Sequence, residues 1–317
     1  MSAVDPVILD ALAQRLLAAQ AAVPAGLLAA EFGCSRAGLA QRVETLRSLG
    51  AAVATTSEGY ALDSDDRLDA AEIRRALPAS SPLAVGVKQV CDSTNLAVRA
   101  HPVPALCVAE LQLCGRGRRG RQWAQPFGTG LLMSLSVKMP GGRLDALAIA
   151  LAMAALECLE AMGQAGLFLK WPNDFMCGGA KLGGLMIEAE GGRNGRLCVG
   201  LGINVRAAPE LPGRGTTSLA ELGRPPSRNL LAARIAQAFL ETLDAYAAEG
   251  FAPFAARFPR YDWLLDRPVT LYGASSGVEG IARGVDGSGA LILETGQGRK
   301  LFYAGEATLS RAVEEAS

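Results

Sequence analysis

The sequence has 317 residues, enough for two or three domains, because a single hydrophobic core rarely serves more than about 250–300 residues. Half of the residues are hydrophobic, and 31 basic residues balance 31 acidic ones. This zero net charge excludes a protein that holds nucleic acid through its overall positive field, while local basic patches remain open.

The cysteines, the single histidine and the lengths of the apolar runs exclude further classes of protein. The seven cysteines form no C-x-x-C pair, which predicts reduced thiols rather than a disulfide framework. His101, the only histidine, lies in an apparent loop, so we expect no imidazole-based catalysis. We also expect no metal cluster and no organic prosthetic group. Without a signal-peptide pattern or an apolar run of roughly 18–20 residues, the prediction is a cytoplasmic protein with no membrane partner.

Residues 1–63 are predicted to form a unit of their own. Apolar residues at helical spacing follow Pro6, and a second short helical segment spans Ala25–Glu31. Ser35 is a natural N-cap for a third helix, and two short β-like runs follow within residues 51–62. Helix, helix, turn, helix and hairpin is the pattern of a winged helix-turn-helix.

This N-terminal unit has two open interpretations. Ser35, Arg36 and Arg42 at the start and along the third helix are candidate DNA contacts. Glu58, at the predicted hairpin tip, stands where a wing that contacts phosphates favours Lys or Arg. A helical docking or dimerisation module is therefore the alternative to operator binding.

Residues 64–267 are predicted to form a central body of mixed strands and helices, after a short helix within Arg67–Leu77. The predicted strands are Leu83–Val90, Ala105–Gln112, Gly130–Val137, Phe168–Trp171, Gly184–Ala189 and Leu197–Val205. The predicted helices are the short Ser93–Arg99 and the long Leu144–Met162 and Asn229–Ala248. The fold class is therefore α+β and multidomain.

Residues 268–317 change character again. Short β-like runs alternate there with Gly-rich turns. The runs are Val269–Tyr272, Val278–Gly284, Ala290–Glu294 and Lys300–Tyr303. About fifty residues of this kind predict a small β-barrel of the SH3-like type.

The most unusual segment is the arginine-rich loop, Gly115–Arg121, which Trp123 follows. Four arginines separated by glycines offer guanidinium groups and bare backbone N–H groups to an anion. The loop lacks the Gly-Lys-Ser/Thr ending of a Walker loop. A nucleic-acid patch is the alternative, but the position directly after a predicted strand favours a phosphate-bearing small ligand.

Lys170–Asp174, the sequence Lys-Trp-Pro-Asn-Asp, is a second unusual segment. Its proline restrains the chain at a strand end, so Asn173 and Asp174 project from a fixed platform. Lys181 follows, and the glycines 183–184 let the backbone approach a ligand closely. A plain turn between two strands is the alternative.

Two weaker signals accompany these segments. Gly200 and Gly202 lie in a predicted buried strand, where glycine weakens pairing and suggests a ligand against the backbone. Asp92–Asn95 opens a helix with hydroxyls and an amide, which an ordinary N-cap would also explain.

In this order, the segments resemble the family of bifunctional biotin ligases and biotin-operon repressors. The resemblance runs nearly end to end, from the helix-turn-helix to the terminal barrel. The matching segments are Asp92–Asn95, Gly115–Arg121, Lys170–Asp174, Lys181–Gly184 and Gly200–Asn204. It implies that residues 64–267 form a catalytic domain like that of biotin and lipoate ligases.

The resemblance implies a set of biotin-binding residues. Polar side chains would hydrogen-bond the ureido group, Trp123 would shield the apolar ring and tail, and the arginine-rich loop would close over the carboxylate. The implied biotin-binding residues are Ser93, Thr94, Asn95, Gln112, Gly115, Arg116, Gly117, Arg118, Trp123, Lys181 and Gly183.

It implies nucleotide-binding and catalytic residues as well. The implied ATP- and adenylate-binding residues are Arg118, Arg119, Arg121, Trp123, Asn173, Lys181, Asn204, Gly215 and Thr216. Arg118, Lys181 and Asp174 are the implied catalytic residues, with Asp174 as the candidate Mg²⁺ ligand. The cations would offset repulsion as the biotin carboxylate attacks the α-phosphate of ATP.

The implied reaction forms biotinyl-5′-AMP from biotin and ATP and then transfers biotin to a lysine. The acceptor would be the biotin carboxyl carrier protein of acetyl-CoA carboxylase. Operator DNA and a second copy of the chain, paired through edge strands of the central domains, are the further implied partners.

The sequence departs from the repressor pattern in one loop, because Gly215–Ser218 stands where the best-known repressor-type members carry a tryptophan. Two other activities remain open. One is a lipoate–protein ligase, which shares the fold and the acyl-adenylate chemistry. The other is a regulator that senses biotinyl-adenylate without catalysis. The arginine-rich loop, Lys181 and Asp174 favour catalysis on biotin.

Overall fold

The computed structural model describes residues 5–62, 66–139, 144, 146–192, 195–210, 215–273 and 277–309, with the backbone alone for Arg118. The predicted domain boundary at residues 63–64 therefore lies outside the described residues. So does the predicted end of the third domain, residues 310–317. Within these ranges, every helix is too short or too polar to cross a membrane.

Three helices and a hairpin form the N-terminal part, in the predicted order; the winged helix-turn-helix itself stays a prediction. Its elements are α1 (Pro6–Leu17), α2 (Ala25–Glu31), α3 (Arg36–Ser48), β1 (Val53–Thr55) and β2 (Tyr60–Leu62). The predicted cap is confirmed, because the Ser35 hydroxyl accepts a hydrogen bond of 3.1 Å from the backbone N–H of Gly38. Leu12, Leu39 and Leu46 are fully buried on the helix faces that meet.

A seven-stranded sheet forms the centre of the molecule. Its strands are β3 (Ala84–Cys91), β4 (Ala105–Gln112), β5 (Gly130–Lys138), β6 (Leu167–Lys170), β7 (Asp174–Cys177), β8 (Ala180–Glu190) and β9 (Arg196–Asn204). The order across the sheet is β3-β4-β5-β9-β8-β7-β6, and only the β3–β4 pair is parallel. The strands β4 to β9 pair antiparallel with their neighbours, so the end of one strand lies beside the start of the next strand in the sheet. Residues that are distant in the sequence therefore lie close together there.

Six α-helices accompany this sheet in the described residues, and the two long ones cover one of its faces. The six are α4 (Ala70–Ala76), α5 (Thr94–Ala97), α6 (Leu147–Ala161), α7 (Leu219–Leu222), α8 (Arg228–Glu249) and α9 (Ala252–Ala255). The long α6 and α8 pack against each other and bury the apolar residues Leu131, Met133 and Leu135 of β5. Successive strand residues point to opposite faces, so Ser134 lies on the other face, near α5.

Two differences from the predicted elements concern short segments. The strand β7 was not predicted, because four residues after a proline carry too little periodicity to distinguish a strand from a turn. The helix predicted within Arg67–Leu77 begins only at Ala70, because the Asp69 side chain accepts from the N–H groups of Ala71 and Glu72 and caps it.

Five antiparallel strands form a C-terminal sheet. They are β10 (Pro268–Tyr272), β11 (Val278–Val285), β12 (Leu291–Thr295), β13 (Gly298–Phe302) and β14 (Glu306–Leu309). Their order is β13-β12-β11-β10-β14, so β13 and β14 each pair with one neighbour, and the described strands form an open sheet rather than a closed barrel. Four strands were predicted; β14 is the additional one.

The N-terminal part is docked on the edge strand β3. The Asp10 carboxylate accepts from the backbone N–H groups of Gln89 at 2.6 Å and Val90 at 3.1 Å, and it pairs with Lys88 at 3.1 Å. Val90 and Phe127 are also buried in the same hydrophobic cluster as the N-terminal helices. A side chain thus satisfies the backbone donors that an edge strand would otherwise expose.

Asp262, between the central and C-terminal sheets, generates a prediction about stability. Burial raises its pKa from 3.8 to about 6, against the N–H groups of Leu264 and Leu265 that lower it. The folded chain therefore binds a proton more tightly than the unfolded chain, so the free energy of unfolding falls as pH rises from about 4 to about 6.

Asp262→Asn should remove this loss and stabilise the chain at pH 7 by on the order of 1–3 kcal/mol, since one pKa unit is worth about 1.4 kcal/mol. Urea unfolding between pH 4 and 8 measures it. Asp244→Asn, at an exposed carboxylate on α8, is the control. An unchanged pH profile in Asp262→Asn would show that Asp262 is not the group responsible.

Candidate functional site

A cavity of about 280 Å³ lies on the face of the central sheet that α6 and α8 leave free. The arginine-rich loop, the Lys170–Asp174 segment and the C-terminal strand β14 surround it. Its lining residues are Ser93, Thr94, Asn95, Gln112, Arg116, Gly117, Arg119, Arg121, Gln122, Trp123, Lys170, Trp171, Pro172, Asn173, Asp174, Lys181, Gly184, Leu185, Met186, Gly200, Leu201, Gly202, Gly305, Glu306 and Ala307.

One end of the cavity is a recess of buried, neutral polar groups. Gln112 Oε1, at the end of β4, accepts from the backbone N–H of Thr94 at 2.6 Å and lies 3.0 Å from the Thr94 hydroxyl. Ser134 Oγ lies 2.7 Å from Thr94 Oγ1 and 2.5 Å from Asn95 Oδ1. Several polar atoms held this firmly suit a small ligand with both donors and acceptors.

An ion pair occupies the wall of the cavity beyond this recess. Lys181 Nζ, on β8, lies 2.7 Å from Asp174 Oδ1, on β7, and 5.6 Å from the centre of a Trp123 ring. The strands place them, because β7 and β8 pair with Asp174 opposite Gly184. Both side chains are about one-fifth exposed, with 19% for Lys181 and 22% for Asp174, so an anion can reach the ammonium group.

Gly200 and Gly202 make room for protein side chains. A Cβ at Gly202 would lie 2.7 Å from the Trp123 ring, and one at Gly200 would lie 2.6 Å from Asn95 Oδ1. The sequence suggested a ligand against this backbone. The structure instead places the Trp123 ring and the Asn95 amide there, and both line the cavity. The glycines therefore let these two side chains lie flat on the sheet.

Carboxylate contacts hold the arginine-rich loop toward the C-terminal sheet. Arg119 and Arg121 both pair with Glu306 at the start of β14, and Arg119 also donates to the backbone oxygen of Tyr272 at 2.9 Å. The hydrogen bond to Glu306 is the main cause that raises the pKa of Arg121. The side chain of Arg118 lies outside the described residues. The loop thus links the central cavity to the C-terminal strands.

The structure brings most of the predicted site residues to this cavity. Those that line it are Ser93, Thr94, Asn95, Gln112, Arg116, Gly117, Arg119, Arg121, Trp123, Asn173, Asp174 and Lys181. Five predicted residues are absent from the described lining, namely Gly115, Gly183, Asn204, Gly215 and Thr216.

Those five residues have identifiable positions next to the site. Gly115 accepts a hydrogen bond of 2.8 Å from the backbone N–H of Trp123. Gly183 faces Phe175 and the Gly202 carbonyl, and its neighbour Gly184 lines the cavity in its place. The buried Asn204 amide donates to the backbone oxygen of Thr217 at 2.9 Å. The N–H of Lys181 donates to the Gly215 oxygen at 2.8 Å. Residues 215–217 therefore run beside the strand that carries Lys181, and the role of each in binding stays a prediction.

Sequence reasoning missed several residues at the site. Ser134 and Ser136 are fully buried hydroxyls among the apolar residues of β5, and two serines in a buried strand are a signal that the sequence offers. Glu188 accepts from the Asn95 amide at 2.9 Å across 93 positions of sequence, which no local pattern indicates. Glu306 was not identified, because the strand β14 was not predicted.

Comparisons with known proteins place the chain in a family. Residues 87–204 match the biotin/lipoate A/B protein ligase family, and residues 264–310 match the biotin protein ligase C-terminal domain. The two matched ranges contain the strands β4 to β9 and β10 to β14, and with them most of the cavity lining.

Whole-chain relatives and solved structures agree with this. The chain is 35% identical to the bifunctional ligase/repressor BirA of Salmonella typhimurium, over 90% of this chain and 92% of that protein. It is 34% identical to a biotin–[acetyl-CoA-carboxylase] ligase of Paracoccus denitrificans, over 68% of this chain and 96% of that protein. The solved biotin protein ligase of Aquifex aeolicus, in complex with biotin and ATP, matches with a TM-score of 0.63. It is 28% identical and covers 72% of this chain and 98% of its own.

The cavity and the comparisons therefore agree on one assignment. The polar recess, the Lys181–Asp174 pair and the arginine-rich loop lie within or beside the segment that the first family model matches. The identity to whole-chain relatives extends this match into the N-terminal helices and the C-terminal sheet. The chain belongs to the family of biotin protein ligases that includes the bifunctional ligase/repressor proteins.

Proposed function

We propose that this chain is a biotin–protein ligase. It forms biotinyl-5′-AMP from biotin and ATP and transfers biotin to a lysine of a biotin carboxyl carrier protein. The observation that carries the proposal is one cavity that joins a neutral polar recess to a cationic wall. Biotin has the matching shape, with a neutral ureido group at one end and a carboxylate at the other.

The proposed residue roles follow from the position of each group. Thr94, Asn95 and Gln112 bind the ureido group in the recess, and Trp123 covers the ring and tail. Lys181 lies beyond them, where the biotin carboxylate and the α-phosphate meet, and neutralises the two anions as they approach. Arg116, with the loop residues Arg118 to Arg121, closes over the adenylate and keeps water out.

Mg²⁺ is the proposed metal, and it fits as a partner of ATP. Among the described residues, no group of three or more His, Cys, Asp or Glu side chains is placed to hold a metal ion. Asp174 supplies a single carboxylate in the cavity. Mg²⁺ commonly takes one or two protein carboxylates and completes its shell with phosphate and water. Asp174 would hold the ion, which supplies charge neutralisation at the phosphates. Asp174 also accepts from Lys181 and so fixes its position.

We further propose a repressor function for the N-terminal part, residues 1–63, as a winged helix-turn-helix. Relatives named as bifunctional ligase/repressor support it. Arg36 is exposed at the start of α3, and Arg42 follows on the same helix as a second candidate DNA contact with Ser35. Arg47 is unsuited, because it is bound to Val53 and Thr55 of the hairpin. Operator DNA is the proposed partner of this part.

The proposed homodimer finds an available sheet edge in β8. The strand β7 pairs with β8 as far as Gly184, and Asn173 bonds both backbone groups of Leu185. From Met186 to Glu190, β8 pairs with β9. The outer strands β3 and β6 are partly engaged, by Asp10 and by Tyr261 respectively. Pairing between two copies along the free part of β8 would satisfy its backbone groups.

The remaining assignments stay with this proposal. The central domain spans residues 64–267, and residues 268–317 form the third domain. The SH3-like barrel stays a prediction for this domain, since its described strands form an open sheet. A cytoplasmic location is supported by the cysteines, all seven of which are free thiols.

Transfer of labelled biotin to a purified biotin carboxyl carrier domain tests the function. We expect labelling that requires ATP, Mg²⁺ and the acceptor lysine, and no labelling of an acceptor with that lysine replaced. Lipoate is the competing substrate to include. Efficient transfer of lipoate but not biotin would contradict the proposal, as would biotin binding without any transfer.

Lys181→Met should lower the rate of biotinyl-adenylate formation by on the order of 10²–10³, the loss typical of one preorganised charged contact. The measurement is biotin-dependent exchange of pyrophosphate into ATP. Lys138→Met, at the exposed end of β5, is the matched control and should keep full activity. Equal rates for the two variants would remove Lys181 from the proposed mechanism.

Gly202→Ala should weaken biotin binding about tenfold, because its Cβ would displace the Trp123 ring, and overpacking costs roughly 1–3 kcal/mol. Calorimetric titration with biotin measures it. Gly287→Ala, where an added Cβ meets no atom within 4 Å, controls for the substitution itself. Unchanged biotin affinity in Gly202→Ala would mean that the Trp123 ring does not cover the ligand.

A further inference from the structure

Glu188 on β8 reaches the polar recess through Asn95. Its Oε2 atom accepts from Asn95 Nδ2 at 2.9 Å and from Arg99 at 3.1 Å. Arg99 also pairs with Glu190 at 2.7 Å. Asn95 is 5% exposed and lines the cavity, whereas Glu188 lies behind it. A carboxylate accepts hydrogen bonds and does not donate them, so Glu188 fixes which end of the Asn95 amide faces it.

The fixed orientation of the Asn95 amide determines the direction of the neighbouring hydrogen bonds. With its NH₂ group on Glu188, Asn95 presents Oδ1 to Ser134 Oγ at 2.5 Å. An amide oxygen only accepts, so the single Ser134 proton lies between these two atoms. Ser134 Oγ, 2.7 Å from Thr94 Oγ1, then has no proton to give to Thr94. The Thr94 proton itself stays within the protein, because Gln112 Oε1, an acceptor, lies 3.0 Å from Thr94 Oγ1.

We propose that Glu188 is a positioning residue that makes the Thr94 oxygen an acceptor for the ligand. Ser134 donates to Asn95, Asn95 donates to Glu188, and Thr94 donates to Gln112. The lone pairs of Thr94 Oγ1 that remain face the cavity, as acceptors for an N–H group. This inference rests on the proposed function, because the ureido group of biotin supplies such N–H donors.

Removal of the Glu188 carboxylate would change the direction of these hydrogen bonds. Without Glu188, the Asn95 amide can rotate and turn its NH₂ group toward Ser134. Ser134 would then donate to Thr94 and occupy a lone pair of Thr94 Oγ1, while the Thr94 proton stays on Gln112 Oε1. A recess with one acceptor fewer leaves an N–H group of the ligand without its partner, which weakens binding.

Glu190 provides the matched control for the experiment. Like Glu188, it pairs with Arg99, but it does not accept from the Asn95 amide. We expect Glu188→Ala to raise the Kd of biotin about tenfold, the scale of one hydrogen bond to a charged group. Glu190→Ala should stay within about twofold of the wild type, since the same bond is kept. The KM of ATP and the kcat of adenylate formation should not change in either variant.

A double-mutant cycle with Asn95→Ala separates positioning from general stability. If Glu188 acts through Asn95, its replacement adds no further loss of biotin affinity in the Asn95→Ala background. Thermal unfolding of each variant detects a general loss of structure.

Two outcomes would overturn the inference while leaving the ligase function intact. One is an equal rise in the biotin Kd for Glu188→Ala and Glu190→Ala. The other is an additive loss in the double variant. Absence of biotin binding by the wild-type chain would instead overturn the proposed function, and this inference with it.

Discussion

The buried guanidinium group of Arg228 holds the main parts of the molecule together. The side chain is fully buried at the start of α8, and it contacts both carboxylate oxygens of Glu110, at 2.6 and 3.2 Å. It also contacts the carboxylate of Asp66 at 3.1 Å and the backbone oxygen of Gly130 at 3.1 Å. A buried cation is tolerated only with such compensation, and breaking a buried pair typically costs about 3–5 kcal/mol.

This network fixes the strands that carry the ligand recess. Glu110 lies in β4 just before Gln112, and Gly130 in β5 lies opposite Asn204 in β9. The next residue of α8, Asn229, donates to the backbone oxygen of Arg67 and accepts from the N–H of Asp69. The segment that leads from the N-terminal helices is therefore tied to the same helix end as the catalytic sheet. Since unpaired buried polar groups are costly, these parts have one preferred arrangement.

The contrast between local and distant contacts explains how much the sequence predicts. The long helices and most strands follow from apolar periodicity, and the residue types in the conspicuous motifs indicate the cavity wall around Lys181. The strand β14 and its Glu306 were missed, because four residues after a glycine give no usable period. Glu188 and Ser134 were missed for another reason. Their contacts with Asn95 depend on the pairing register of β5, β9 and β8, which only the folded sheet defines.

Three cations of the site are paired with the protein's own carboxylates, and this pairing affects how an anionic ligand binds. Lys181 contacts Asp174, and Arg119 and Arg121 contact Glu306. A cluster of cations without counter-charges would repel itself and lose solvation in a cavity. In the proposed reaction, the biotin carboxylate and the phosphates compete with these side chains for the same cations. Binding is then an exchange of one anion for another. Because Glu306 begins β14, an exchange at Arg119 and Arg121 would involve the C-terminal sheet.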